Sequence, residues 1–165
     1  MKTIILGVSM FLAMTQFAFS EDAPPAGPIQ VTVKSDKQEY THGEPGVVYV
    51  MPPTGKLKAT LTVKNVSGKV QKLEFRSGQK YDFVIRDAKG KELVRWSKDK
   101  GFIASIEEIE LEPGNQLTYN DEVLLGDIAK PLPEGNYTLE GILTSHPSIS
   151  ARVAFKIVPT PAKAR

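Results

Sequence analysis

The 165-residue sequence contains no cysteine, two histidines and one tryptophan. Without cysteine there can be no disulfide, thiolate zinc site, cysteine nucleophile or lipid-modified cysteine. Two imidazoles, His42 and His146, are too few for a histidine-rich metal centre. Charge of neither sign dominates. A formal net charge of +2 gives no electrostatic reason to expect nucleic acid or an acidic membrane surface as a partner. The glycine-rich phosphate loop, the Gly-x-Gly-x-x-Gly fingerprint and the Gly-x-Ser-x-Gly elbow are all missing. These absences exclude most enzyme classes, and neither a cofactor nor a metal is expected. What is present, 41% hydrophobic and 24% charged residues, is the composition of a globular protein.

The first segment reads as an address. Lys2 precedes an apolar run from Ile4 to Met14, and Ala18-Phe19-Ser20 has the small-x-small pattern of a cleavage point. The run is short for a membrane span, and no strong stop-transfer charge cluster follows it. Residues 1–20 are therefore expected to be a cleavable export signal. The mature chain would be periplasmic or secreted, with no membrane attachment after cleavage. Residues 21–28, with Pro24, Pro25 and Pro28, read as a semi-rigid linker, and residues 159–165 as a loose tail. The folding unit is then 29–158.

Within that unit the dominant period is two. Leu57, Ala59, Leu61 and Val63 alternate with Lys58, Thr60, Thr62 and Lys64; Tyr81, Phe83 and Ile85 alternate with Asp82, Val84 and Arg86, and Val153, Phe155 and Ile157 with Arg152, Ala154 and Lys156. Each pattern gives a half-buried strand. The spacing predicts strands at Ile29–Lys34, Val47–Met51, Lys56–Asn65, Val70–Phe75, Tyr81–Arg86, Glu92–Ser97, Ile106–Leu111, Asn115–Glu122, Asn136–Thr144 and Ala151–Val158. Turn residues separate them. Asp87-Ala88-Lys89-Gly90-Lys91 has an aspartate to open a turn and a glycine for positive φ at its exit. Many short strands at this spacing describe an all-β fold, an immunoglobulin-like antiparallel β-sandwich. Tyr137, near the start of the penultimate strand, stands where such sandwiches place a corner tyrosine. Trp96, Tyr81 and Phe83 are expected at the core or its edge.

The groups able to carry chemistry have simpler structural readings. His146, in Thr144-Ser145-His146-Pro147-Ser148, and His42 read as exposed loop histidines, since nothing in a linear chain builds a triad around them. The acidic run Glu107, Glu108, Glu110 and Glu112 lacks the spacing of a calcium loop and reads as a solvated strand face.

One group of strings is more specific. Leu73-Glu74-Phe75 is followed by Ser77-Gly78-Gln79-Lys80-Tyr81-Asp82-Phe83 and then by Asp87-Ala88-Lys89-Gly90-Lys91-Glu92. Arg95-Trp96-Ser97, Phe102, Leu111-Glu112-Pro113-Gly114 and Gly135-Asn136-Tyr137-Thr138-Leu139 come after. With these strings, the stretch from Asn65 to Ser145 resembles the BsuPI-type proteinase inhibitor domain, named for an intracellular bacterial inhibitor. Two departures stand out: Val94, and Val123-Leu124, occupy places where the family often has tryptophan. The resemblance implies a proteinase inhibitor directed at serine proteases of the subtilisin type, and a protein partner. The alternative is a non-inhibitory binding or structural module of the cell envelope. If the chain inhibits, one of the rigid loops at the ends of the sandwich, Arg76–Lys80, Lys98–Gly101 or Thr144–Ser150, is the expected contact. The candidate residues are Arg76, Ser77, Gly78, Gln79, Lys80, Lys98, Lys100, Ser145 and His146, with Arg76, Lys80, Lys98 and Lys100 as exposed basic side chains.

Overall fold

A computed structural model describes residues 27–42, 55–127 and 130–160. The expected export signal, most of the linker, the expected strand Val47–Met51 and most of the tail lie outside the described residues. The described residues form twelve strands and no helix: β1 Ile29–Ser35, β2 Glu39–Tyr40, β3 Lys56–Asn65, β4 Gln71–Phe75, β5 Tyr81–Asp87, β6 Glu92–Arg95, β7 Glu107–Leu111, β8 Gln116–Leu124, β9 Gly126–Asp127, β10 Lys130–Pro131, β11 Gly135–Leu143 and β12 Ile149–Ile157.

Alternation in the sequence decides which faces meet. In β3, Leu57, Ala59, Leu61 and Val63 are buried while Lys58 and Lys64 face solvent. β1 and β8 flank β3 in antiparallel register. The second sheet runs β2-β12-β11-β5-β6, antiparallel except for the β2 edge. Its inward side chains, Phe83, Ile85, Leu139, Leu143, Phe155 and Ile157, share one core with those of β3. Each fully buried side chain of this kind contributes about 1.5–3 kcal/mol. The sheets approach closely at Gly141. A Cβ there would lie 2.8 Å from both Leu61 Cδ1 and Val33 Cγ2, so any larger residue would push the layers apart.

Local chemistry terminates the strands as expected. Asp87 Oδ1 accepts from the Lys89 and Lys91 amides at 2.9 Å each, and Gly90 takes φ +82°. The Tyr137 hydroxyl donates to the Pro133 carbonyl at 2.7 Å, the tether of a tyrosine corner. The chain is an all-β, largely antiparallel sandwich, and this tether is compatible with an immunoglobulin-like arrangement.

Three expectations need correction. The strand expected over Glu92–Ser97 stops at Arg95, because Asp82 captures both the amide and the hydroxyl of Ser97 and draws the chain into a turn. The strand expected from Ile106 begins at Glu107, leaving Ile106 in a loop. His42 is half-buried, its Nε2 donating to the Leu132 carbonyl. Alternation in β5 is also incomplete. Asp82 and Val84 point away from the core yet are buried, with Arg95 bonded across Asp82.

Candidate functional site

The β4–β5, β6–β7 and β11–β12 loops converge at one end of the sandwich. Phe75 and Ser145 form a backbone bridge, and the His146 amide donates to the Glu74 carbonyl at 2.8 Å. The Thr144 amide donates to the Lys80 carbonyl at 3.1 Å and its hydroxyl to the Gln79 carbonyl at 2.7 Å. The Gly78 amide donates to the Ile103 carbonyl at 2.8 Å, drawing in the β6–β7 loop. Residues far apart in sequence thus make one surface whose backbone is cross-bonded. Such a surface loses little conformational freedom when it binds.

The expected contact residues divide within it. Arg76, Lys98, Lys100 and His146 are exposed. Arg76 Nε donates to Glu74 at 3.0 Å, and the Lys100 ammonium sits 4.1 Å from the centre of the Trp96 ring. Ser77, Gly78 and Gln79 are half-buried and engaged in holding their own turn: Ser77 Oγ accepts from the Gln79 amide, and Gln79 Nε2 donates to the Tyr81 carbonyl. Lys80 is not an exposed basic side chain. It is 17% exposed, paired with Glu107 at 2.6 Å and stacked over the Phe75 ring. Ser145 is 6% exposed, with its hydroxyl donating to the Pro147 carbonyl, so it fixes the loop from beneath.

Behind the surface lies a row of rings. Tyr119 stacks on Tyr81 and Tyr81 on Trp96, each pair with centroids 4.8 Å apart, and Phe102 follows at 6.3 Å. Trp96 is half-buried and packs against the core edge. The Tyr81 hydroxyl donates to Asp121 at 3.0 Å. Burial first, then this carboxylate, push the phenol up to about 12, so it stays a donor at neutral pH. Arg95 ties the row to the sheet, donating to Glu92 and to buried Asp82. Glu92 foremost holds its guanidinium above the usual range.

Sequence reasoning missed the two most exposed large apolar residues of this end. Ile103 is 75% exposed and Ile106 is 81% exposed. Their signal was the loss of alternation over Phe102-Ile103-Ala104-Ser105-Ile106, where Phe102, Ile106 and Ile109 also fit a helical spacing and the strand pattern resumes only at Ile109-Glu110-Leu111. Three carboxylates of the acidic run beyond them are ion-paired: Glu107 with Lys80, and Glu108 and Glu110 with Lys72 at 2.8 and 3.3 Å. Among the described residues, no group of three or more His, Asp or Glu is arranged to hold a metal ion.

The family model described as the BsuPI intracellular proteinase inhibitor matches residues 45–148. The chain belongs to the BsuPI proteinase inhibitor family. The match includes all three BsuPI loops converging at this end. No curated protein matches the chain. Among solved structures, the sporulation control protein Spo0M of Bacillus subtilis is 14% identical, with a TM-score of 0.44 over 84% of this chain and 51% of that one. A β-glucosidase of Listeria innocua is 13% identical, with a TM-score of 0.42 over 82% of this chain and 16% of that one. A FixG-related protein of Vibrio parahaemolyticus is 15% identical, with a TM-score of 0.38 over 79% of this chain and 97% of that one. The chain therefore spans 51% of Spo0M and a much smaller share of the glucosidase. These likenesses are too remote to carry an activity across.

Proposed function

We propose that the chain is an exported inhibitor of subtilisin-type serine proteases, docking through the loop end built by residues 76–80, 97–106 and 144–148. Membership of the inhibitor family supplies the class of activity. The observation that favours this end is its combination of cross-bonded backbone and exposed apolar side chains, Ile103 and Ile106, in one loop. A protease cleft binds a substrate by its backbone and by apolar pockets, and a rigid loop can fill it at a small ordering cost. Export rests on the pattern of residues 1–20. N-terminal sequencing of extracytoplasmic protein should begin at Glu21, and an intact Met1 on a cytoplasmic product would refute it.

The assay of function titrates the mature chain against subtilisin with a small chromogenic peptide, which avoids competition by protein digestion. Loss of activity with a one-to-one end point is expected. Full activity at large molar excess against several such proteases, with the sandwich shown to be folded, would leave the non-inhibitory envelope module as the reading.

A further inference from the structure

The β6–β7 loop is pinned at two points. At one, Gly78 donates to the Ile103 carbonyl. At the other, Glu107 pairs with Phe75 in the β4–β7 ladder, reinforced by the Lys80–Glu107 ion pair. Between the pins, three residues, Ala104, Ser105 and Ile106, run beside only two, Arg76 and Ser77. A surplus residue on one side of an antiparallel pair bows that side outward and re-aims its side chains. Residues 101–106 contain no turn or bend, so the bow is a stretched segment and not a folded-back tip. Its most exposed large side chain is Ile106.

We infer that Ile106 is the specificity-determining anchor of the inhibitory surface, entering an aliphatic subsite in the substrate cleft of the target protease. This rests on the proposed inhibition of subtilisin-type proteases. Three observations select Ile106 over its neighbours. Ile103 has its carbonyl committed to Gly78, so its peptide is not free to reorient into a partner's backbone bonds. Phe102 leans on the Trp96 ring and is only 37% exposed. Arg76, beside the bow, is neutralised by Glu74, which leaves the apolar side chain as the feature a partner can desolvate most cheaply. A β-branched side chain also has few rotamers to lose on docking.

The test uses the mature chain against subtilisin with the same chromogenic peptide. Ile106→Ala should weaken inhibition about 10- to 100-fold, the value of burying one aliphatic side chain. Ile106→Asp should weaken it further, and Ile106→Leu should stay within a few-fold of the unsubstituted protein. Val66→Asp, a second exposed apolar position in the turn at the other end of β4, should change nothing. Because Ile106 is exposed, its three variants should keep the unsubstituted melting temperature, and circular dichroism checks the fold of all four proteins. Unchanged inhibition by Ile106→Asp would overturn the inference while leaving inhibition by this protein standing. Absence of inhibition by the unsubstituted chain would overturn the functional reading, and the inference with it.

Discussion

The Gly78 amide meets the Ile103 carbonyl at 2.8 Å, and a Cβ on residue 78 would lie 2.9 Å from Ile103 Cγ1. The β6–β7 loop therefore lies directly against the β4–β5 turn at Gly78, and a branched side chain there would have to displace Ile103. Gly78→Val should force the two apart. The expected cost is about 1–3 kcal/mol, as for overpacking elsewhere. Hydrogen exchange at the residue 78 amide should accelerate while the β3 and β11 amides stay protected. Unchanged protection in the variant would mean that the contact does not organise the loop.

Trp96 joins the aromatic row to the loop end, stacked on Tyr81 and capped by Lys100. Its half-buried position predicts a cost for Trp96→Ala of about 2–3 kcal/mol, below the ~3–5 kcal/mol of a fully buried large aromatic. Its fluorescence should be moderately blue-shifted, should be partly quenched by iodide and should move red on unfolding. A freely quenched, red-shifted indole in the folded protein would contradict the stacking.

Glu140, 5% exposed on the outer side of β11, receives Arg86 at 2.7 Å and Arg152 at 2.8 Å. Burial alone would raise its carboxyl, but the two arginines together bring it below the ordinary value of 4.5. Glu92 is also held below 4.5, chiefly by Arg95. A depressed carboxyl stabilises the fold above its unfolded value and loses that contribution as pH falls through its folded value. The melting temperature should thus be level from neutral pH down towards 4.5 and drop below it. Glu140→Gln should cost about 1.5–3 kcal/mol at pH 7 and show a shallower acid slope. An equal slope in both proteins would remove Glu140 from the account.

The repeating parts of the fold were legible because alternation reports one-sided burial directly. Leu57 to Val63, Phe83 and Ile85, and the corner position of Tyr137 all follow from local pattern, while the Pro133 acceptor of Tyr137 appears only in the structure. Features created by distant partners were not. Nothing near Asp82 announces that it will hold Ser97 and Arg95, and so end β6 early. Nothing near Asn65, beyond its turn setting, shows that its side chain will be fully buried, donating to the Lys69 and Leu111 carbonyls. The candidate site shows the same division. The three loops were visible as turn segments, but their convergence depends on pairings such as Phe75 with Ser145. Lys80 looked exposed because Glu107 and the Phe75 ring lie outside its local sequence.

The measurement that bears most directly on the central claim is amide hydrogen exchange of the mature chain, free and mixed with subtilisin inactivated at its active site. A stable complex is expected, with new protection confined to residues 76–80, 97–106 and 144–148. Protection along the β6 or β8 edge with none in these loops, or no complex at all, would contradict it.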